Sequence, residues 1–141
     1  MSTRKPTGKR MAGIEKLLRV VKFNEQGLIP AIIQDARTKQ VLTLCYVNGA
    51  ALRKSLETGT VYVFRRSQNR LMQKGETSGH IQVITKVSVD CEGKSLLLVV
   101  RQHVAGCHTG RFSCYFRQLS RTGTFKVVGR KVFDPKAVYR K

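Results

Sequence analysis

Five apolar runs, each seven to nine residues long and partly β-branched, set what this 141-residue chain can fold into. They are Gly27–Gln34 (GLIPAIIQ), Val41–Val47 (VLTLCYV), Gly59–Arg65 (GTVYVFR), Ile81–Val89 (IQVITKVSV) and Ser95–His103 (SLLLVVRQH). Runs of that length between polar, Gly-containing segments read as strands. The first two are joined by DARTKQ and the last two by DCEGK. Such short joins make sequence neighbours sheet neighbours, which predicts an antiparallel or mixed sheet. Ile14–Val21 places Ile14, Leu17, Leu18 and Val21 on one helical face, and Asn48–Leu56 reads as a helix entry. Residues 1–10 read as a mobile basic arm and Arg66–His80 as a loop. The expected fold is a compact α+β domain with short helices on a mostly antiparallel or mixed sheet.

Charge narrows the class of partner. The chain carries 27 Lys and Arg against 8 Asp and Glu, a formal net charge of +19. Residues 1–22 hold a net +6 and residues 117–141 a net +7, so the two ends supply 13 of the 19 charges. A positive field of this kind attracts a phosphate-rich small molecule or a nucleic acid, and composition alone does not choose between them. No apolar run approaches the roughly 20 residues of a membrane span, and the N-terminus has no apolar signal-peptide stretch. A soluble, cytoplasmic protein without a membrane partner is expected.

Four cysteines, Cys45, Cys91, Cys107 and Cys114, carry the most specific chemistry. A reducing cytosol favours burial or metal binding over disulfides. Cys45 lies inside an apolar strand and reads as a core residue. The other three sit in polar, turn-like segments: VDCEGK, AGCHTG and FSCYF. They are either three unrelated small side chains or three thiolate ligands suited to Zn²⁺ with a fourth position open. Three protein ligands and a water make the catalytic arrangement, because the metal acidifies its water. His108 adjoins Cys107, and neighbours in sequence seldom reach one tetrahedral centre, so His108 reads as a proton carrier.

Five segments in register carry a resemblance: GLIPAIIQDA (Gly27–Ala36), NGAAL (Asn48–Leu52), KGETSGH (Lys74–His80), VDC (Val89–Cys91) and CHTGRFSC (Cys107–Cys114). Their order and spacing closely resemble the phosphoribosyl-AMP cyclohydrolases of histidine biosynthesis, over about Phe23 to Phe116. The resemblance implies a catalytic domain over residues 23–116, flanked by a basic arm and short helix over 1–22 and a basic extension over 117–141. It implies hydrolysis of the N1–C6 bond of phosphoribosyl-AMP by a hydroxide on zinc held by Cys91, Cys107 and Cys114. It also implies a homodimer with the metal site at the interface, Cys91 of one chain facing Cys107 and Cys114 of the other. The family's phosphate-binding loop maps onto Arg65, Arg66, Ser67, Lys74, Thr77, Ser78, Gly79 and His80. Arginine grips phosphate oxygens in pairs, and Gly75 and Gly79 let backbone N–H groups approach.

The chain departs from that pattern where family members read Asp-Cys-Asp-x-Asp and bind Mg²⁺. Here the segment is Asp90-Cys91-Glu92-Gly93-Lys94. Asp90 and Glu92 remain hard oxygen ligands, whereas an ammonium offers no lone pair, so Lys94 weakens the magnesium site. Either Lys94 takes over part of the cation's electrostatic role or the site has decayed. Met72 stands where a Trp is expected and Arg65 where Ser is common. The thiolates and His108 persist, which favours an active enzyme. The alternative is a non-catalytic, zinc-stabilised relative that binds RNA or a ribonucleoprotein through its basic ends. Against it, no nucleic-acid motif is present and few aromatics are placed for stacking.

Overall fold

The computed structural model describes residues 7–75, 79–102, 110–129, 131, 132 and 136. The chain runs α1 (Gly8–Val20), β1 (Leu28–Asp35), β2 (Val41–Asn48), α2 (Gly49–Thr58), β3 (Tyr62–Arg65), β4 (Arg70–Gln73), β5 (Gln82–Val89), β6 (Leu96–Gln102), β7 (Arg117–Leu119) and β8 (Phe125–Val127). The five apolar runs become β1, β2, β3, β5 and β6. Four of these form one sheet in the order β2-β1-β6-β5. Its two hairpins, β1–β2 and β5–β6, are antiparallel, and they meet through the parallel pair β1–β6. The sheet is therefore mixed, within an α+β fold.

Register decides which side chains meet. Ile29 lies opposite Val47, while Ala31, Ile33 and Asp35 lie opposite Leu96, Leu98 and Val100. These residues share one face because partners across a ladder point the same way. That face is the core, where Ile29, Ala31, Ile33, Leu96, Leu98 and Val100 pack with Ile14 of α1 and Ala51, Leu52 and Leu56 of α2. The two helices are joined by the Glu15–Arg53 ion pair at 2.6 Å and by the Arg10 guanidinium donating to the Leu56 carbonyl. On the opposite face Ile32 and Leu97 are half-buried, while Leu44 and Tyr46 are exposed. Deleting part of a fully buried side chain removes its transfer energy and leaves a cavity. Leu98→Ala is expected to lower the unfolding free energy by about 3 kcal/mol in urea denaturation. Leu119→Ala, on exposed β7, should change it by less than about 0.5 kcal/mol.

Three elements differ from the sequence expectation. The helix expected over Ile14–Val21 begins at Gly8, so the arm expected over residues 1–10 is already helical there. The cause is Thr7, whose hydroxyl accepts the Arg10 N–H and caps the first turn. The loop expected over Arg66–His80 holds a short 3-10 turn, Arg66–Gln68, and strand β4, which pairs with β3. Asn69, at φ 47°, makes the reversal in a left-handed conformation that Asn tolerates. The basic extension folds, over Arg117–Val127, into the hairpin β7–β8. Asn48 caps α2 by accepting the Ala51 N–H, and Gly59 ends it at φ 78°. Among the described residues no helix is long and apolar enough to cross a membrane.

Candidate metal and substrate site

The sheet has two ends, and the sequence-predicted site residues divide between them. At the start of β6 lies the β5–β6 turn with Asp90, Cys91, Glu92 and Lys94. Asp90 organises it. Its Oδ1 accepts the backbone N–H of Lys94 at 2.8 Å and of Glu92 at 3.2 Å, and its Oδ2 accepts the Ser95 hydroxyl at 2.7 Å. Those bonds, led by the one from Ser95, hold its carboxyl below the ordinary carboxylate range. The support they give the turn is present above that range and is lost as pH falls through the depressed pKa. Gly93, at φ 74°, faces the Val20 carbonyl so closely that a Cβ would sit 2.5 Å from it. Its own carbonyl accepts the Lys22 N–H at 2.7 Å, docking the turn on the exit of α1. Lys94 Nζ lies 3.6 Å from Glu92 Oε2, and the Cys91 thiol is exposed.

At the other end β6 finishes at Gln102 and leads toward Cys107 and His108, both outside the described residues. Cys114 is pinned there. Its N–H donates to the Leu42 carbonyl at 2.7 Å, while the neighbouring Ser113 hydroxyl donates to the Val41 carbonyl at 2.7 Å and accepts the Tyr115 N–H. Cys114 is half-buried. The start of β5 pairs with the end of β6 through Gln82 and Gln102, so Gly79 and His80 enter the sheet at this same end.

Strand spacing gives the distance between the two ends. Cys91 lies two residues beyond the Val89–Leu96–Ala31 row, and Cys114 lies beside Leu42, near the Ile33–Thr43 row. Three inter-strand steps and several residues of rise put them roughly 20 Å apart in one chain. Two thiolates on one zinc stand only about 4 Å apart, given Zn–S bonds of about 2.3 Å. Cys91 and Cys114 of one chain therefore do not fit one metal. Among the described residues no three His, Cys, Asp or Glu side chains gather as a metal site.

The expected phosphate loop is also divided. Lys74 follows β4, and its N–H donates to the Val61 carbonyl at 2.8 Å. Gly75 adopts φ 92° and Gly79 φ 79°, with the Gly79 N–H closing onto the Gly75 carbonyl at 2.7 Å. His80 is half-buried. Thr77 and Ser78 lie outside the described residues. Arg65, Arg66 and Ser67 sit at the tip of the β3–β4 hairpin, where Arg65 pairs with Arg70, whereas Lys74 adjoins its base, where Tyr62 pairs with Gln73. Three residues of strand separate tip from base, about 10 Å. Cys45, expected in the core, packs part-buried against it. Burial pushes its thiol pKa up, and the Lys74 charge opposes that rise.

Sequence reasoning missed a buried amide pair. The Gln82 side chain, fully buried, donates from Nε2 to Gln102 Oε1 at 2.7 Å, leaving Gln82 Oε1 and Gln102 Nε2 without partners among the described residues. Only the cross-strand register brings these residues together, and a lone Gln in each apolar run carries no signal of it.

The sequence profile described as phosphoribosyl-AMP cyclohydrolase matches residues 43–116. The chain is 48% identical over 121 residues to the phosphoribosyl-AMP cyclohydrolase of Pelotomaculum thermopropionicum, covering 86% of this chain and 94% of the relative. It is 42% identical over 125 residues to that of Methanothrix thermoacetophila, covering 89% of this chain and 100% of the relative. It is also 48% identical over 126 residues to the histidine biosynthesis bifunctional protein HisIE of Thermoanaerobacter pseudethanolicus. There it covers 89% of this chain but spans only 58% of the bifunctional protein's length. With nearly the whole of two such relatives matched, and the matched profile holding the segments of both sheet ends, the chain belongs to the phosphoribosyl-AMP cyclohydrolase family.

Proposed function

We propose that this protein is a phosphoribosyl-AMP cyclohydrolase of histidine biosynthesis, a cytoplasmic hydrolase opening the adenine ring at the N1–C6 bond. The observation that carries the reading is similarity along nearly the full length of relatives with that name, 94% of one at 48% identity. In the reaction, water adds its oxygen to C6, the C6–N1 bond breaks, and a proton from the water passes to N1. His108 is the group to carry that proton near neutral pH.

Cys91, Cys107 and Cys114 would hold zinc, which on three thiolates keeps one position for water and lowers that water's pKa to about 7. The separation of Cys91 from Cys114 within one chain supports a centre shared between two chains. A homodimer can bring the exposed turn of one copy to the Cys114 end of the other. The exposed Leu44 and Tyr46 beside half-buried Ile32 and Leu97 offer an apolar surface for that pairing. On the substrate side Lys74, Gly75, Gly79 and His80 would hold a phosphate at the Cys114 end. Arg65, Arg66 and Ser67 serve a second, more distant anionic group, in keeping with two phosphates on the substrate.

Lys94 stands in part for magnesium. Its ammonium lies beside Glu92, and Asp90 already spends both oxygens on the turn. Protein stripped with EDTA and reloaded with zinc should turn over phosphoribosyl-AMP with little added Mg²⁺, followed by the ultraviolet change on ring opening. A strict magnesium requirement would refute this role for Lys94. No ultraviolet change with zinc-loaded protein, with or without Mg²⁺, would overturn the cyclohydrolase reading itself.

A further inference from the structure

The C-terminal segment walls a cavity of about 320 Å³ against the turn between β1 and β2. That volume is at the lower end of small-ligand sites, enough for a sugar phosphate. Arg37 enters from the turn, Arg111 from the other side, and Phe112, Tyr115 and Phe116 supply aromatic walls. Val128 and Gly129, just past β8, complete it, so the cavity exists only because the extension folds back. Ser113 and Tyr115 line it, whereas Cys114 between them does not. The cavity therefore shares backbone with the Cys114 segment while being a separate recess.

Among the described residues its charge is one-sided: both charged side chains in the lining are arginines, and no carboxylate lines it. The nearest carboxylate along the turn, Asp35, is buried, its Oδ2 accepting the Thr38 N–H at 2.7 Å and the Thr38 hydroxyl at 2.8 Å. That clamp fixes the turn that presents Arg37. Arg37 itself is exposed and pairs with no carboxylate among the described residues. Arg111 is held in place, donating from Nη1 to the Gly129 carbonyl at 2.8 Å with its guanidinium 5.3 Å from the centre of the Phe116 ring. A guanidinium has five N–H donors, so one bond to a carbonyl leaves most of the fork for a ligand. Two such forks over a recess with aromatic walls suit a doubly charged, tetrahedral oxyanion carried on a sugar.

We propose that this cavity binds the 5′-phosphate of a ribonucleotide, gripped by Arg37 and Arg111. Two sources share that chemistry: one ribose-phosphate arm of the substrate, held here in place of the Arg65–Ser67 tip, which rests on the cyclohydrolase reading, and a separate mononucleotide, which does not. AMP and ribose 5-phosphate are the probes, titrated calorimetrically into the full zinc-loaded chain at low ionic strength. Arg37→Ala should weaken both about tenfold and Arg37→Lys by less, since one charge-assisted contact to phosphate is lost or reduced to a point charge. Lys39→Ala, in the same turn but outside the cavity, should change binding less than about twofold. A rise in KM for phosphoribosyl-AMP in Arg37→Ala, with kcat within about twofold, identifies the substrate's arm as occupant. Weakened AMP binding with KM unchanged identifies a separate nucleotide. Equal binding by wild type and Arg37→Ala, or an equal loss in Lys39→Ala, overturns the proposal. A wild-type protein inactive on phosphoribosyl-AMP sinks the enzymatic reading instead, and leaves the AMP titration to decide the cavity.

Discussion

A heterodimer of one Cys91→Ser chain and one Cys114→Ser chain is expected to recover about half of wild-type turnover, although each variant alone is inactive. Along the sheet Cys91 and Cys114 of one chain are roughly 20 Å apart, too far for one zinc. A centre that uses both must take them from different chains. In the proposed two-fold dimer each site would contain Cys91 of one chain and Cys107 and Cys114 of the other. In the mixed dimer one site receives Cys91 from the Cys114→Ser chain and Cys114 from the Cys91→Ser chain, and is intact. The other lacks both thiols. Co-expression with two different tags isolates the mixed dimer, and its zinc content should likewise be about half that of wild type. Neither substitution touches the core, because Cys91 is exposed in a turn and the Cys114 segment is held through its backbone and Ser113. Lost activity is therefore not lost folding, which circular dichroism would verify. An inactive mixed dimer built from two folded chains would show that the thiols do not meet across an interface.

Most of the fold is legible in the sequence, and the exceptions have physical causes. β1, β2, β5 and β6 announce themselves because each packs apolar side chains against the core, fully buried along β1 and β6 and partly buried along β5, and burial selects Ile, Leu and Val. Strand β4 (Arg-Leu-Met-Gln) buries little and, among the described residues, pairs only with β3, so its composition is that of a loop. The first turns of α1 are hidden for a related reason. Met11 is only partly buried, and the turn depends on the Thr7 cap rather than on periodicity. The site is legible as chemistry and opaque as geometry. Three thiolates and a basic, glycine-containing loop can be read one residue at a time. That Cys91 sits at the opposite end of the sheet from Cys114 depends on the parallel β1–β6 pairing, which links two hairpins far apart in sequence. The same holds for the Arg37–Arg111 cavity, assembled from a turn and an extension more than seventy residues apart.

Gly75→Ala is expected to raise KM for phosphoribosyl-AMP by at least about tenfold while leaving zinc content unchanged, since small displacements of positioning groups carry large kinetic costs. Gly75 has φ 92°, which any residue with a Cβ adopts at a cost of about 1–2 kcal/mol. Strain alone is not the reason. A Cβ at position 75 would also run into the backbone carbonyl of His80, which cannot rotate away as a side chain does. Relief requires the chain entering β5 to shift, and with it Gly79, whose N–H closes onto the Gly75 carbonyl. That segment bears Lys74 and His80, the groups proposed to hold a substrate phosphate. Gly27 is the comparison that separates strain from displacement. It has φ 75° but open space where a Cβ would go. Gly27→Ala should therefore cost a similar amount of stability, read by thermal unfolding, and leave KM within about twofold of wild type. Neither glycine is itself a core residue, so neither variant should approach the loss from Leu98→Ala. Equal KM values for the two glycine variants would show that the Gly75–His80 contact does not position the substrate, and the loop would then owe its glycines to turn geometry alone.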